Sequence, residues 1–320
     1  MKKHNFNSGP SILPAQVLQK ASEAIFDFNN TGLSILEIGH RTDWFGEVLH
    51  NAMASVKKLM QINDDYAVLF LHGGATTQFM QVPMNLLDAN QTAAYCDNGI
   101  WGSKGIKEAR LFGNVHVAAS SKDKGHTYIP KNLSIPGDAV YLHYTTNNTV
   151  EGTEWHHIPE TNVPLVADMS SDIFYRPFDF SKLSLIYAGA QKNMGAAGVN
   201  LVVVRKDILG KVQRSIPTIM DYRNHIEADS LLNTPPVFAV YISMLTLQWI
   251  QQEGGLTEME KRAKERAALL YDTLDSLPLF RATVAKEDRS MMNAVFVLDD
   301  AELEKKFLDE CKANGMIGVK

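Results

Sequence analysis

The stretch that decides the fold is Tyr187-Ala188-Gly189-Ala190-Gln191-Lys192-Asn193, where a buried-looking apolar run ends in small residues and a lysine. Seven such runs lie between about residues 65 and 205: Tyr66–Leu71, Thr92–Cys96, Val115–Ala119, Ala139–Tyr144, Val163–Ala167, Leu183–Ala188 and Asn200–Val204. Near-continuous apolarity without a period of two is typical of strands buried on both faces. Repeated strand–connection–strand units therefore predict an α/β fold with a mostly parallel sheet.

Helical patterns flank this region on both sides. Ahead of it, Leu13–Asn29 and Trp44–Met60 are predicted helices. The breaker Asn233-Thr234-Pro235-Pro236 precedes further elements, which are helices at Val237–Gln252, Thr257–Leu277 and Ala301–Asn314 and strands at Phe280–Val284 and Ala294–Leu298. We therefore predict a large α/β domain with its N-terminal segment over residues 1–250 and a smaller α+β domain over residues 251–320.

The composition of the chain argues against several classes of protein. The 320 residues are 45% hydrophobic and 21% charged, and 31 Lys+Arg against 36 Asp+Glu give a net charge of -5. This acidic balance argues against a nucleic-acid partner, and no apolar run reaches the ~18–20 residues of a membrane span. Cys96 and Cys311 are far apart and no histidine pair has metal-ligand spacing, so we expect no disulfide scaffold, no metal and a cytoplasmic location.

Polar or glycine-rich residues follow five of the predicted strands. They begin at His72, Asp97, Thr145, Asp168 and Gly189. Ligands of open α/β sheets bind beyond the carboxyl ends of the strands. The sequence therefore predicts one composite site at this edge of the sheet.

The loop Gly73-Gly74-Ala75-Thr76-Thr77 lies between a predicted strand and a helix. Small residues and a helix N-terminus suit a phosphate group. A tight strand-to-helix turn without a ligand explains the loop equally well. The loop is neither a Walker motif nor a GxGxxG fingerprint, so nucleotide binding and a dehydrogenase lack their usual support.

Lys192 and Asp168 are the candidate catalytic pair. A lysine at a crowded strand end has its ammonium form disfavoured, and a neutral amine forms a Schiff base with an aldehyde cofactor. Asp168 ends the preceding strand, 24 residues earlier, and a carboxylate there suits the ring nitrogen of pyridoxal phosphate. Taken singly, Lys192 reads as a surface lysine and Asp168 as a helix cap. Together with the phosphate loop, they favour pyridoxal phosphate.

Each of four further residues is consistent with a functional role and with a purely structural one. Trp101 suits stacking on a flat ring but also a core position, and Thr149 suits the cofactor's phenolic oxygen or a turn. Arg41, beside His40, suits a substrate carboxylate or phosphate or a solvated surface pair.

Several segments together resemble the phosphoserine aminotransferase family, the class V, fold-type-I pyridoxal-phosphate enzymes. They are Asn5–Pro10, Gly39-His40-Arg41, Gly73–Phe79, Ala167–Ser171, Tyr187–Asn193 and Leu232–Pro236, spread in order over nearly the whole chain. The resemblance implies transfer of the amino group of L-glutamate to 3-phosphohydroxypyruvate, in serine biosynthesis. It also implies use of the related phosphorylated threonine in pyridoxine biosynthesis.

The resemblance assigns a role to each candidate residue. Lys192 would carry the cofactor and move the proton, Asp168 would pair with the ring nitrogen, Trp101 would stack on the ring, and Thr149 would meet the phenolic oxygen. Ala75, Thr76 and Gln191 would bind the cofactor phosphate, joined by Asn233 and Thr234 from the second subunit of a homodimer. Ser8, His40 and Arg41 would bind the substrate.

Two departures from the family pattern affect these expectations. Ala75-Thr76 stands where many members have Gly-Arg, so the phosphate site would keep backbone donors with less charge. The family continues beyond the position of Lys320 with a His-Arg pair and an arginine that bind substrate, so we expect this form to bind cofactor and turn over poorly. The alternatives are another class V aminotransferase and a cofactor-binding protein without activity. A cysteine desulfurase is disfavoured, because Cys96 lies on a predicted strand and Cys311 on a predicted helix.

Overall fold

The computed structural model describes residues 3–319, which form eight helices, thirteen strands and several short 3-10 turns. The strands are β1 His4–Asn5, β2 Tyr66–Leu71, β3 Thr92–Asp97, β4 Asn114–Ser120, β5 Ala139–Thr145, β6 Asn147–Asn148, β7 Thr153–Glu154, β8 Leu165–Asp168, β9 Leu185–Gly189, β10 Asn200–Arg205, β11 Arg281–Ala282, β12 Phe296–Val297 and β13 Met316–Ile317. The helices are α1 Ala15–Phe26, α2 Asp43–Met60, α3 Gly74–Leu86, α4 Ile100–Ala109, α5 Tyr222–Glu227, α6 Val237–Gln252, α7 Gly255–Ser276 and α8 Ala301–Ala313.

A seven-stranded sheet forms the centre, in the order β2-β10-β9-β8-β5-β3-β4. Every neighbouring pair is parallel except the two that β10 makes, which are antiparallel. The predicted α/β fold with a mostly parallel sheet is confirmed. Asn200, the first residue of β10, pairs with both Leu71 and Gly189, so the carboxyl ends of β2 and β9 lie at one edge.

Alternate residues of the inner strands enter two apolar layers. Leu201 and Val203 of β10 face α1, α2 and α6, whereas Val202 and Val204 face α3, α4 and α5. This two-sided burial is why the strands read as continuous apolar runs. The expectation of burial on both faces is wrong for β4, because β4 is an edge strand whose Asn114, Val117 and Ser120 are exposed.

Element boundaries differ from the sequence-based expectations where proline or a turn intervenes. The predicted helix Leu13–Asn29 runs only from Ala15 to Phe26. Pro14 precedes its first turn, and after its end Asn29 and Asn30 adopt the left-handed conformation, with φ angles of 51° and 59°. The predicted strand at Val163 begins after Pro164, which has no N–H to donate. The two strands of the C-terminal region shrink to the two-residue pair β11 and β12.

The C-terminal region has a small apolar cluster of its own. Ala267, Tyr271 and Leu274 of α7 pack against partly buried neighbours that include Phe280 and Phe296. The N-terminal strand β1 pairs in parallel with β13, so the two ends of the described chain lie together. The division at residue 250 stays a prediction. Within residues 3–319, no helix has both the length and the apolarity to cross a membrane.

Candidate active site

The carboxyl edge of the sheet carries most of the candidate site residues. β2 leads into α3 through Gly73, β3 leads into α4 through Gly99, and β9 leads into the loop that holds Lys192. Asp168 is the last residue of β8, where its backbone pairs with Tyr187 of β9. Parallel strands of similar length end at one edge, which is why these distant residues meet.

Lys192 lies half-buried at this edge with its amine directed to two other candidates. Its Nζ donates to Thr149 Oγ1 at 2.5 Å and lies 5.8 Å from the centre of the Trp101 ring. Ser11 Oγ donates to the Lys192 carbonyl, and Ser11 N donates to the Gln191 carbonyl at 2.9 Å. Burial lowers the pKa of Lys192, against the opposing charges of Asp168 and Asp172. A lysine with a lowered pKa is a better nucleophile near neutral pH.

Asp168 is buried, with 4% of its surface exposed. Its Oδ1 accepts a hydrogen bond from the Ser170 backbone N–H at 3.0 Å. Burial raises the pKa of Asp168, while Ser170, Lys192 and Tyr187 act in the opposite direction. Asp168 ends β8 beside β9, and Lys192 lies in the loop just after β9, so both residues lie at the same edge of the sheet. No helix begins at Asp168, so its role is not that of a helix cap.

The N-terminus of α3 offers backbone donors to an anion. Gly73, just before the helix, has a φ of 91°, and a Cβ there would lie 2.0 Å from Thr77 Oγ1. The Thr77 hydroxyl donates to the Gly73 carbonyl at 2.9 Å. No side chain caps the helix and no acidic residue lies in its first turn, which contains Ala75 and Thr76. The free N–H groups and the helix dipole suit a phosphate.

Trp101 lies in the first turn of α4, at the same edge of the sheet as Lys192. Its ring packs at 6.4 Å from Phe79 of α3, and its Nε1 is buried without a hydrogen-bond partner among the described residues. Lys104, one turn later, places Nζ 4.4 Å from the centre of the ring. The Ile100 N–H donates to Glu151 at 2.7 Å, which ties α4 to the turn after Thr149.

The remaining candidates lie near the edge or on the surface. Thr234 is exposed, and its carbonyl lies 2.6 Å from His72 Nε2 of the same chain, just before the Gly73 loop; Asn233 precedes it. Ser8 is exposed, next to Gly9, whose added Cβ would lie 3.0 Å from Lys192 Cγ. Arg41 Nε lies 3.4 Å from His40 Nε2. Between residues 3 and 319, no hydrogen bond or ion pair joins His40 or Arg41 to Lys192 or Asp168.

Two buried acids beneath the site were missed by the sequence reasoning. Asp172 accepts a hydrogen bond from Thr146 Oγ1 at 2.5 Å, and its other oxygen is buried without a partner in the described chain. Burial, and next the charge of Glu154, raise the pKa of Asp172 to about 7. Glu154 accepts from the Tyr175 hydroxyl and from Met291 N at 2.8 Å. Asp172 directly follows the segment Ala167–Ser171, but no sequence pattern indicates its burial.

An aromatic column under Asp168 was also missed. His143 Nε2 lies 2.8 Å from the Tyr187 hydroxyl, and the His143 ring stacks on Tyr95 at 4.7 Å. Burial lowers the pKa of His143 to about 3, so this ring is neutral. The Tyr187 hydroxyl in turn lowers the pKa of Asp168. Polar aromatics on alternate strand residues resemble ordinary core in the sequence, and only the strand order aligns them.

The cysteines do not support desulfurase chemistry. Cys96 and Cys311 are both buried and unpaired. Burial raises the pKa of Cys96 to about 12, which removes the thiolate that such a reaction requires.

The donor set fits pyridoxal phosphate. An amine with a lowered pKa suits the aldehyde, and a buried carboxylate in the same cleft suits the ring nitrogen. The uncapped α3 N-terminus suits the phosphate, and the Trp101 face suits the ring. These four groups come from four different strand ends, which is how a sheet edge assembles a site from distant segments.

Comparison with known proteins gives the family. The model for class-V aminotransferases matches residues 3–316. Phosphoserine aminotransferase of Flavobacterium johnsoniae is 52% identical over 320 residues, which cover 100% of this chain and 90% of that protein. The solved phosphoserine aminotransferase of Bacillus circulans subsp. alkalophilus has a TM-score of 0.97 at 42% identity, covering 100% of this chain and 90% of that one.

A second solved relative bears on the cofactor. The PLP-bound phosphoserine aminotransferase of Trichomonas vaginalis has a TM-score of 0.92 at 31% identity, covering 98% of this chain and 90% of that one. Identity at this level over nearly the full length shows more than a shared fold. The chain therefore belongs to the class V aminotransferases, and among them to the phosphoserine aminotransferase family.

Proposed function

We propose that this chain transfers the amino group of L-glutamate to 3-phosphohydroxypyruvate, giving O-phospho-L-serine and 2-oxoglutarate. Relatives at about half identity over the full chain carry the name of this activity. The observation that carries the chemistry is the position of Asp168 at the end of β8 and of Lys192 just after the neighbouring β9, at the same edge of the sheet as the uncapped N-terminus of α3.

Each residue of the cleft has a task in this reaction. When bound, pyridoxal phosphate supplies an aldehyde that exchanges amino groups and a ring that accepts electrons. Lys192 would bind the aldehyde carbon and later carry the proton between the substrate Cα and C4′ of the cofactor. Asp168 would hold a proton at the ring nitrogen, and the ring's positive charge would favour the ionised carboxylate against the cost of burial.

The other cleft residues orient the cofactor. Ala75, Thr76 and Gln191 would hold its phosphate, with Trp101 against the ring and Thr149 at the phenolic oxygen. The Thr149 hydroxyl already lies at hydrogen-bond distance from Lys192 Nζ, which supports this placement.

The substrate end of the site rests on Ser8, His40 and Arg41. Both substrates are anions, and Arg41 makes no ion pair with a carboxylate of the described chain. A Cβ added at Gly9 would lie 3.0 Å from Lys192 Cγ, and Ser8 is the residue before Gly9. A guanidinium held next to an imidazole suits a phosphate or carboxylate.

A borohydride experiment tests the cofactor linkage. The purified protein should be yellow, and borohydride should bleach it and fix the cofactor mass on the peptide that contains Lys192. Lys192→Ala should abolish this adduct, whereas Lys182→Ala, at an exposed lysine away from the cleft, should retain it. A reducible adduct in Lys192→Ala would disprove the assignment.

A half-reaction tests the amino transfer. L-glutamate alone should change the visible absorption of the loaded enzyme, and 3-phosphohydroxypyruvate should restore it. An unchanged spectrum with glutamate would leave a protein that binds cofactor without activity. Restoration by the phosphorylated threonine precursor would support a second role in pyridoxine biosynthesis.

We also propose a cytoplasmic homodimer. Asn233 and Thr234 would reach the cofactor phosphate of the second subunit, as the family resemblance implies. Two buried, unpaired cysteines suit a reducing compartment. Sedimentation of the purified protein tests the dimer, and Asn233→Ala should weaken cofactor binding only in the assembled form.

A further inference from the structure

The turn that carries Thr149 is held by a segment from the C-terminal part of the chain. β6 and β7 form a short hairpin, and Thr149 lies in its turn. Residues 289–293 run along this hairpin. Ser290 N donates to the Gly152 carbonyl at 2.9 Å, and Arg289 forms a backbone bridge with Thr153.

Within this segment, Asn293 contacts the turn residue Thr149, which is hydrogen-bonded to Lys192. Its Nδ2 donates to the Thr149 carbonyl at 2.9 Å, and its Oδ1 accepts from Asn147 Nδ2 at 2.8 Å. Ser290 Oγ lies 3.2 Å from the same Oδ1. One amide therefore joins the first strand of the hairpin to its turn and uses both of its polar atoms.

We propose that Asn293 is a positioning residue, which holds the Thr149 turn and thereby places the Thr149 hydroxyl at the Lys192 nitrogen. This inference rests on the proposed function, because it concerns the same amine. Thr149 lies in a turn without regular secondary structure, and an unheld turn samples many backbone conformations. The Asn293 amide limits that freedom from outside the hairpin.

The expected effect on the loaded enzyme follows from charge. Negative charge on the cofactor's phenolic oxygen attracts the proton on the Lys192 nitrogen, and a hydroxyl that donates to this oxygen reduces the attraction. Loss of the Thr149 hydroxyl, or of its placement, should therefore raise the pH midpoint of the visible absorption. The rise should be about 0.5–1 pH unit, the value for one hydrogen bond.

The test is a double-mutant cycle with Asn293→Ala and Thr149→Val. Each single variant should raise the midpoint, and the double variant should match Thr149→Val, because Asn293 acts through the hydroxyl. Asn293→Leu, which has the same branched shape without the polar atoms, repeats the cycle without a cavity. Asn314→Ala, at an exposed asparagine in the same part of the chain, should match wild type. An unchanged midpoint with a lower Tm, or additive shifts, would overturn the proposal.

Hydrogen exchange separates this proposal from the function it rests on. In the cofactor-free protein, Asn293→Ala should increase deuterium uptake by the peptide over residues 147–152 at least about fivefold relative to Asn314→Ala. Unchanged deuterium uptake by this peptide would overturn the inference, whichever residue binds the cofactor. A reducible adduct in Lys192→Ala would instead overturn the proposed function.

Discussion

Among single residues, three titratable groups within a buried space govern the site. Burial lowers the pKa of Lys192 and raises those of Asp168 and Asp172. The Thr146 hydroxyl donates to Asp172 Oδ1 at 2.5 Å, and the Asp168 carbonyl accepts from the Thr146 N–H at 3.0 Å. Asp172 Oδ2 is buried without a hydrogen-bond partner in the described chain, which disfavours the ionised carboxylate. The geometry and the pKa of about 7 therefore agree.

Asp172→Asn should stabilise the cofactor-free protein more at high pH than at low pH. The pKa of Asp172 is about 7 in the fold against 3.8 as the ordinary value. As pH rises from about 4 to 7, the unfolded chain loses its proton first, so the wild type loses stability. Asparagine cannot ionise, and its amide oxygen can still accept from the Thr146 hydroxyl. The advantage should grow to at most about 4 kcal/mol above pH 7.

Urea unfolding at about pH 5 and pH 8 measures this difference. Asp138→Asn, at an exposed carboxylate, should change stability little at either pH. An equal effect of Asp172→Asn at both pH values would show that Asp172 is ionised throughout this range.

At the scale of elements, the phosphate site depends on how α3 begins. The left-handed backbone of Gly73 turns the chain from β2 into the helix, and Thr77 closes the turn on the glycine carbonyl. Gly74 also has a positive φ, of 63°, but a Cβ there meets nothing within 4 Å. A side chain would therefore strain the backbone at both glycines, and the two positions differ only in the space around an added Cβ.

Gly73→Ala should weaken binding of pyridoxal phosphate by about tenfold more than Gly74→Ala, since its Cβ would displace Thr77 from the first turn of α3. Adding Thr77→Ala should restore part of the loss, because the clash is with that side chain. Titration of the cofactor-free protein by absorbance measures the affinity. Equal losses for the two glycines would mean that backbone strain alone decides the effect.

At the scale of the whole molecule, the N-terminal segment links the C-terminal region to the catalytic loop. β1 pairs with β13, and Phe6 N donates to the Ile317 carbonyl at 2.7 Å. A few residues later, Gly9 packs on Lys192. Asn293 makes a second link from the C-terminal region to the cleft. The site thus depends on contacts from both ends of the described chain.

Phe6→Pro should loosen this segment, because proline has no N–H for Ile317. Phe6→Ala keeps the N–H and, since Phe6 is 58% exposed, loses little packing. We expect Phe6→Pro to be cleaved by a protease in residues 3–11 about five times faster than Phe6→Ala, the effect of one hydrogen bond. Equal cleavage rates would show that β1 does not restrain the segment.

Local sequence patterns are enough to predict most of the helices and strands and the chemistry of the main site. Apolar runs and glycines act locally, so Tyr66–Leu71 and Val237–Gln252 were predicted with the bounds the structure has. Lys192 and Asp168 were found because each directly follows or ends such a run. The antiparallel direction of β10, the exposure of β4, the raised pKa of Asp172 and the contact of Asn293 with Thr149 come from tertiary packing. Burial and hydrogen bonding depend on neighbours distant in sequence, and no local pattern records which neighbours those are.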